Sequence, residues 1–232
     1  MRWAIAGYGD VVERRVLPAL RALGERPAYL WGRDADRAAR VAARHGVPRS
    51  GSDEDALFGD GIDAVYVATP VVRHVPLARR ALAAGLPVLV EKPLAGGLDQ
   101  SLEADGHPCA AVAYYRRLAP AVRRLRAALD TWTPRHVEVR FRCAFAPGPT
   151  HPMRWRTDPA LSGGGVLADA GSHRLDLLVM AFGRPSRVRG GSDTASPRGR
   201  SGGPRWSWRG RPACGRGSSR SGATNRRSTG SS

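Results

Sequence analysis

Cysteine and long apolar runs are scarce in this chain of 232 residues. The three cysteines, Cys109, Cys143 and Cys214, form no Cys-x-x-Cys pair, which argues against a disulfide framework and predicts a reducing, cytoplasmic setting. No apolar run approaches the ~20 residues of a membrane-spanning helix. Because glycines and Asp10 interrupt the apolar N-terminus, we expect no signal peptide. The six histidines show no metal-ligand spacing, so we predict no metal site.

Lysine occurs only once, at Lys92, among 37 basic residues. The formal net charge is +17, and residues 191–232 contain nine arginines but one acid. A preference for arginine over lysine usually reflects the base composition of the coding sequence. We therefore do not take it as evidence for a nucleic-acid partner. The alternative is that the tail, which also contains Trp206 and Trp208, binds an anionic surface by stacking and phosphate contacts.

The first half of the chain alternates short apolar runs with helical periodicity. Apolar runs predict buried strands, and apolar residues at helical spacing that end at a glycine predict helices. The predicted strands are residues 2–6, 28–31, 64–68, 88–90 and 110–113, and the predicted helices are residues 11–23, 34–45 and 74–84. This order predicts an α/β fold with a doubly wound parallel sheet, a Rossmann domain over residues 1–113.

The pattern changes after this first domain. Residues 119–129 and 166–182 have helical periodicity, while apolar residues alternate along residues 136–145 and predict a half-buried antiparallel strand. We therefore predict a partial α+β domain over residues 114–190. Residues 191–232 contain no Val, Leu, Ile, Met, Phe or Tyr, and we expect them to be disordered because they cannot bury enough apolar surface.

A glycine-rich turn follows the first predicted strand. Its first glycine allows a tight turn, and its second lets the backbone approach a pyrophosphate at a helix N-terminus. The third position of this fingerprint is Val12 instead of Gly or Ala, which is a departure. The strand before the turn and the helix after it predict a dinucleotide site. The predicted cofactor contacts in this turn are Gly7, Tyr8, Gly9, Asp10 and Val11.

The end of the second predicted strand indicates which dinucleotide is preferred. NAD enzymes place an acid there, about 20 residues past the glycines, to hold the ribose hydroxyls. Gly32 and Arg33 occupy this place, so no carboxylate repels a 2′-phosphate and an arginine is available to pair with it. We predict NADP(H) in preference to NAD(H). The alternative is that Arg33 is a solvated surface residue and that Asp34 holds the ribose.

Two motifs further along the chain are more specific. They are Glu91-Lys92-Pro93 and an Asp-x-Gly-x-His-x-x-Asp pattern formed by Asp169, Gly171, His173 and Asp176. With the glycine-rich turn they resemble the glucose–fructose oxidoreductase/inositol dehydrogenase (Gfo/Idh/MocA) family over roughly residues 1–190. Further matching segments are residues 17–20, 63–70 with His74, 114–117 with Pro120, 155–156 and 162–168.

The resemblance implies reversible hydride transfer between a carbinol carbon and the nicotinamide, with Lys92 and His173 as catalytic residues and Asp169 beside them. A histidine with its usual pKa near ~6.5 can exchange the hydroxyl proton, and an ammonium group can polarise the reacting oxygen. Since Asp169, His173 and Asp176 are spaced i, i+4 and i+7, they are predicted to share one helix face, where either aspartate could orient the imidazole or bind a substrate hydroxyl. The alternative is a packed histidine and an aspartate favoured by the helix dipole.

The remaining candidates come from the other matching segments. The cofactor candidates are Thr69, Pro70, His74, Glu91 and Lys92, and the substrate candidates are Tyr115, Arg156 and Asp176. Each has a structural alternative: His74 and Glu91 would hold local structure, Tyr115 would be a packed aromatic, and Arg156 would anchor a loop.

The abrupt change at Gly191 is where the chain departs most from the family. Members of the family continue with further strands, so we hypothesise a frameshifted or mis-terminated reading frame. The loss would expose the edge of the predicted strand at residues 136–145 and remove the contacts of the homo-oligomer that the resemblance implies. We therefore expect either an NAD(P)-dependent oxidoreductase of a sugar, cyclitol or related polyol with impaired activity, or an inactive remnant that still binds the dinucleotide.

Overall fold

The computed structural model describes residues 1–96, 107–141, 146–163, 167–190 and 206–209. Its main feature is a parallel sheet of six strands. These are β1 (Arg2–Ala6), β2 (Arg26–Trp31), β3 (Ser50–Gly51), β4 (Ala64–Val67), β5 (Val88–Val90) and β6 (Ala110–Val112). The strand order β3-β2-β1-β4-β5-β6 is that of a Rossmann sheet and confirms the predicted fold class. Such sheets bind ligands at the carboxyl ends of the strands, where the order reverses between β1 and β4.

Helices connect the strands and cover the sheet. In chain order they are α1 (Leu17–Ala22), α2 (Ala35–His45), α3 (His74–Ala83), α4 (Pro120–Ala128), α5 (Pro159–Ser162) and α6 (Ser172–Phe182). Short 3₁₀ segments lie at Asp55–Leu57, Val71–Arg73, Tyr115–Leu118 and Arg154–Thr157. The start and end of α2 follow from its sequence: the Asp34 side chain accepts a hydrogen bond from the Arg37 N–H, and Gly46 ends the helix in the left-handed conformation.

The apolar core lies on both faces of the sheet because side chains alternate along each strand. In β4, Val65 and Val67 pack in one cluster with Leu77 of α3, while Tyr66 points to the opposite cluster. Each fully buried aliphatic side chain contributes about 1.5–3 kcal/mol to folding. The all-buried strand β4 therefore anchors the carboxyl edge of the sheet, where the candidate site residues follow.

The strand predicted at residues 136–145 is wrong over residues 136–141, which form no strand, and residues 142–145 lie outside the described part of the chain. The apolar side chains Val137, Val139 and Phe141 are 43%, 49% and 40% exposed. An alternating pattern gives a stable strand only when another strand satisfies its backbone groups. No described strand pairs with this segment.

Two predicted helices are interrupted by wider π-helical turns. Val12–Val16 forms one such turn before α1, and Leu167–Gly171 forms another before α6. A π-turn places an extra residue in the helical circuit. Asp169 and His173 consequently lie on different kinds of turn, and the single continuous helical face predicted for Asp169, His173 and Asp176 is not what the structure has.

The expected disorder of the tail is wrong at one point. Residues Trp206–Arg209 form strand β8, which pairs antiparallel with β7 (Arg187–Gly190). A sequence containing two tryptophans has a β preference that the tail's overall composition obscured. The other residues beyond 190 lie outside the described part of the chain.

Candidate cofactor and active site

The turn after β1 has the backbone geometry that a dinucleotide-binding turn requires. Gly7 adopts φ of 110°, and its N–H donates to the Trp31 carbonyl at 2.9 Å. A Cβ atom built on Gly7 would lie 2.5 Å from the Ala68 carbonyl oxygen, so the turn and the end of β4 approach too closely for any side chain. Apart from its two neighbours in the chain, no described residue has an atom within 4 Å of a Cβ built on Gly9. The space beside Gly9 therefore fits the approach of a phosphate to the backbone.

Replacing Gly7 with alanine is expected to destabilise the Rossmann domain and to weaken dinucleotide binding. The new methyl group would meet backbone atoms and would also force an unfavourable positive φ, which costs about 1–3 kcal/mol before any clash. Thermal unfolding and NADPH fluorescence titration would measure the two effects. Gly85→Ala is the matched control, because Gly85 also has positive φ (72°) but no neighbouring atom within 4 Å of its built Cβ. Equal losses in both variants would contradict the close-approach argument.

Val12 occupies the third fingerprint position and is fully buried. It packs with Ile5, Val16 and Leu30 in the cluster beneath the first helix. The core between helix and sheet therefore has room for the valine side chain, which packs there and not against the Gly7–Gly9 backbone. Asp10 pairs with Arg14 at 2.6 Å, and Val11 is 40% exposed.

The end of β2 is organised around Tyr8. A Cβ atom on Gly32 would overlap the Tyr8 ring, so Gly32 is the residue that lets this ring lie against the strand end. The Asp34 N–H donates to the Tyr8 hydroxyl at 3.3 Å, and the Arg37 guanidinium lies 4.9 Å from the ring centroid. Arg33 is exposed, and within the described residues its side chain has no ion pair.

Lys92 and Asp169 come together although they are far apart in sequence. The Lys92 ammonium forms an ion pair with Asp169 Oδ1 and donates to the Asp169 carbonyl at 3.3 Å. Asp169 Oδ2 pairs with an Arg156 guanidinium nitrogen at 3.0 Å. One carboxylate therefore holds two cations, and the only lysine of the chain, with its side chain 15% exposed, is fixed in a nearly buried position.

His173 lies beside this cluster and is 5% exposed. Burial, with the nearby positive charges of Lys92 and Arg116, lowers the pKa of His173 to about 4, against the smaller opposing effect of Asp169 and Asp176. The ring is therefore neutral at pH 7. Its Nδ1 atom is buried and has no hydrogen-bond partner among the described residues. A neutral imidazole is suited to accept a proton from a bound hydroxyl group.

Aromatic rings and a second ion pair surround the imidazole. Tyr114 and Tyr115 meet it edge-on at centroid distances of 5.8 and 5.2 Å, and Tyr115 is 60% exposed. Asp176 is buried and accepts from Arg117 Nε at 2.8 and 3.0 Å through its two oxygens. Among the described contacts neither Asp169 nor Asp176 hydrogen-bonds to His173, because each carboxylate is held by arginine or lysine.

The candidates that follow β4 and β5 contact one another through buried groups. The His74 nitrogens lie 2.9 Å from the Thr69 carbonyl and 2.8 Å from the Pro93 carbonyl. The Thr69 hydroxyl is buried without a partner in the described part of the chain, which leaves it free for a ligand. The Glu91 carboxylate accepts from the Tyr66 hydroxyl at 2.7 Å and from the Lys92 N–H at 3.2 Å. Pro70, between these turns, is exposed.

Sequence reasoning missed two residues of this arrangement. The sequence predicts Tyr66 only as part of an apolar strand, although a hydroxyl in an otherwise aliphatic buried strand needs a partner and so signals a polar contact. Arg117 lies in the matching segment 114–117, and no role was predicted for it. Its bidentate contact with Asp176 spans 59 positions, and no local pattern indicates it.

Two family models match the chain over most of its length. One, described as an oxidoreductase family with an NAD-binding Rossmann fold, matches residues 1–105, and the other, described as the GFO/IDH/MocA C-terminal domain, matches residues 121–205. The chain belongs to the Gfo/Idh/MocA family of oxidoreductases. The resemblance inferred from the motifs is thereby confirmed. The second match also continues past residue 190, where the motif resemblance ended.

Individual relatives agree with this family. Oxidoreductase P35 of Formosa agariphila is 30% identical, the match covering 83% of this chain and 64% of the relative. A Haloferax volcanii protein named D-xylose 1-dehydrogenase (NADP(+)) 2 is 31% identical, with coverage of 81% and 59%. The chain thus spans less than two thirds of the length of either relative. The structure of a levoglucosan dehydrogenase with NADH and levoglucosan has the same fold, with a TM-score of 0.69, 22% identity and coverage of 84% and 57%.

No helix among the described residues is both long and apolar enough to cross a membrane. No group of three or more histidine, cysteine or acidic side chains there is arranged to hold a metal ion.

Proposed function

We propose that this chain carries the cofactor-binding and catalytic residues of an NADP(H)-dependent oxidoreductase acting on a carbinol or ketone carbon of a sugar, cyclitol or related polyol. The observation that carries the proposal is the meeting of Lys92 and Asp169 beside a neutral, buried His173. The dinucleotide, when bound, supplies the nicotinamide that exchanges a hydride with the carbon. Relatives named as sugar dehydrogenases support the substrate class.

In the proposed reaction His173 transfers the proton and Lys92 stabilises the developing charge. His173 takes the hydroxyl proton during oxidation and returns it during reduction, for which its neutral form is suited. Lys92 donates a hydrogen bond to the reacting oxygen and stabilises the charge that develops there. Asp169, which is itself paired with Arg156, holds the ammonium in place, and the exposed edge of Tyr115 borders the space that a substrate would fill.

The cofactor preference rests on the end of β2. The Asp34 carboxylate accepts a hydrogen bond from the Arg37 N–H at the start of α2. Part of its hydrogen-bonding capacity is therefore already used and is not available to a ribose hydroxyl. Arg33 is exposed and has no carboxylate partner among the described ion pairs. An unpaired guanidinium at this position is suited to bidentate contact with a 2′-phosphate.

Replacing Arg33 with alanine is expected to weaken NADPH binding by about 10- to 100-fold, the effect of losing a charge-assisted hydrogen bond of about 1.5–3 kcal/mol. NADH binding should hardly change, because NADH lacks the 2′-phosphate. Fluorescence titrations with both dinucleotides would measure the change. Arg26→Ala is the control, since this exposed arginine begins β2 at the opposite end of the strand. Equal weakening for NADPH and NADH would contradict the assignment.

The proposed activity is tested by a screen of aldoses, inositols and related polyols with NADP and NAD. We expect turnover with NADP, and we expect it to require both Lys92 and His173. Tight NADPH binding without turnover of any sugar, cyclitol or polyol would contradict the catalytic part of the proposal. It would favour a protein that only binds the dinucleotide.

A further inference from the structure

The side chain of His74 is sequestered between two turns at the carboxyl edge of the sheet. It is 1% exposed and begins helix α3. One ring nitrogen faces the turn after β4 at the Thr69 carbonyl, and the other faces the turn after β5 at the Pro93 carbonyl. Both nitrogens are thus occupied by main-chain partners, and neither is left to contact a cofactor.

The chemistry of these partners limits what His74 can do. Carbonyl oxygens only accept hydrogen bonds, and a neutral imidazole has a single N–H to donate. Burial lowers the pKa of His74, against the smaller effect of the two carbonyls, so the neutral ring predominates at pH 7. At any moment the neutral ring therefore donates a hydrogen bond to only one of the two carbonyls, and its other nitrogen faces a carbonyl to which it cannot donate.

Buried contacts flank Lys92 on both sides in the chain: that of His74 with Pro93 follows it, and that of Tyr66 with Glu91 precedes it. On its N-terminal side the Glu91 carboxylate accepts the Lys92 N–H and is itself held by the hydroxyl of Tyr66 from β4. Burial and the adjacent Glu91 charge raise the pKa of Tyr66, so its hydroxyl remains a donor. On its C-terminal side the Pro93 carbonyl faces His74. Two buried side chains thus hold the main chain immediately before and after Lys92.

We propose that His74 is a positioning residue for Lys92, and that its contact with the Pro93 carbonyl fixes the main chain from which the ammonium reaches Asp169. The inference rests on the catalytic role proposed for Lys92. The claim that His74 fixes the position of the Lys92 ammonium, however, can be tested without measuring turnover. A long, flexible lysine side chain reaches a given point reproducibly only if its main chain is fixed.

Two isosteric substitutions separate the contacts of the ring. The side-chain amide of asparagine can replace the donor at Nδ1, and that of glutamine can replace the donor at Nε2. His74→Asn should therefore keep the contact with Pro93, while His74→Gln should keep only the contact with Thr69. We expect His74→Gln to lower kcat by about 10- to 100-fold, as a displaced catalytic group does, with an unchanged Kd for NADPH. His74→Asn should remain close to the wild-type protein.

The single lysine provides a readout other than activity. Protein labelled with 15N at the lysine side chain has one Nζ resonance, which reports only on Lys92. Loss of the ion pair with Asp169 should shift this resonance and speed exchange of its protons. We expect this change in His74→Gln and not in His74→Asn. His45→Gln, at the far end of α2, is the control for replacing a histidine elsewhere in the sheet domain and should change nothing.

Several outcomes would overturn the inference. An unshifted Nζ resonance in His74→Gln would do so whatever the activity, and so would equal displacement in the Asn and Gln variants. Loss of kcat with an unshifted resonance would show that His74 acts in some other way. A wild-type protein that turns over no substrate would end the proposed function, whereas the Nζ resonance would still decide whether His74 positions Lys92.

Discussion

Lys92→Met is expected to lower kcat by about 10²- to 10³-fold, the usual effect of removing one group that stabilises charge in a transition state. Methionine keeps an unbranched apolar stem, so the fold should survive the substitution. The ammonium would be lost from between Asp169 and the reacting oxygen, and the Asp169 carboxylate would keep only its contact with Arg156. Steady-state kinetics with the best substrate of the screen, together with NADPH titration, would measure the change.

Lys92→Arg is the informative comparison. It keeps the positive charge but replaces a compact ammonium with a broad, planar guanidinium that does not fit a side chain only 15% exposed. We expect activity to remain far below that of the wild-type protein. Full activity in Lys92→Arg would mean that only the charge matters, and full activity in Lys92→Met would remove Lys92 from the reaction altogether.

Most strands and helices of the sheet domain could be predicted because their signals are local. Strand β4 is a continuous buried apolar run, and α2 carries its own start and stop signals in Asp34 and Gly46. Each feature involves neighbouring residues, so the sequence contains the information directly. The strand predicted at residues 136–145 failed over residues 136–141 because a strand also needs a partner, and pairing depends on distant parts of the chain.

The sequence indicated which residues are candidates for the site, but it did not indicate which contacts they form. Glu91-Lys92-Pro93 and the segment from Asp169 to Asp176 were singled out by motif, and the structure brings Lys92 and Asp169 together. Which cation each carboxylate holds could not be predicted, because an arginine-rich chain offers many equivalent partners. Arg156 pairs with Asp169 and Arg117 with Asp176, so neither aspartate is free to orient His173 as the spacing had suggested.

This arrangement changes the expected behaviour of His173. A histidine oriented by a carboxylate would have a raised pKa, whereas His173 is buried near two cations and has a pKa lowered to about 4. The neutral form, which is the base needed for alcohol oxidation, therefore persists down to mildly acidic pH. The rate of oxidation should be limited on the acid side by protonation of His173 only near pH 4, well below the ordinary value of about 6.5.

His173→Ala is expected to lower kcat for oxidation by about 10²- to 10⁴-fold, the range for loss of a general base. In the wild-type protein, protonation of His173 should not affect kcat/KM for oxidation between neutral pH and about pH 5. It should lower kcat/KM as the pH approaches the His173 pKa of about 4. Removing a nearby cation should raise that pKa. Arg116→Gln is therefore expected to move the acid limb of the profile to higher pH without abolishing activity.

The comparison between these variants decides the role of the histidine. His45→Ala, at the end of α2, provides the control for loss of an imidazole elsewhere and should leave the profile unchanged. An acid limb near pH 6.5 in the wild-type protein would contradict the lowered pKa of His173, because kcat/KM reports ionisations of the enzyme before substrate binds. An unaltered limb in Arg116→Gln would mean that another group titrates, because a positive charge removed from beside a histidine must make its protonation easier.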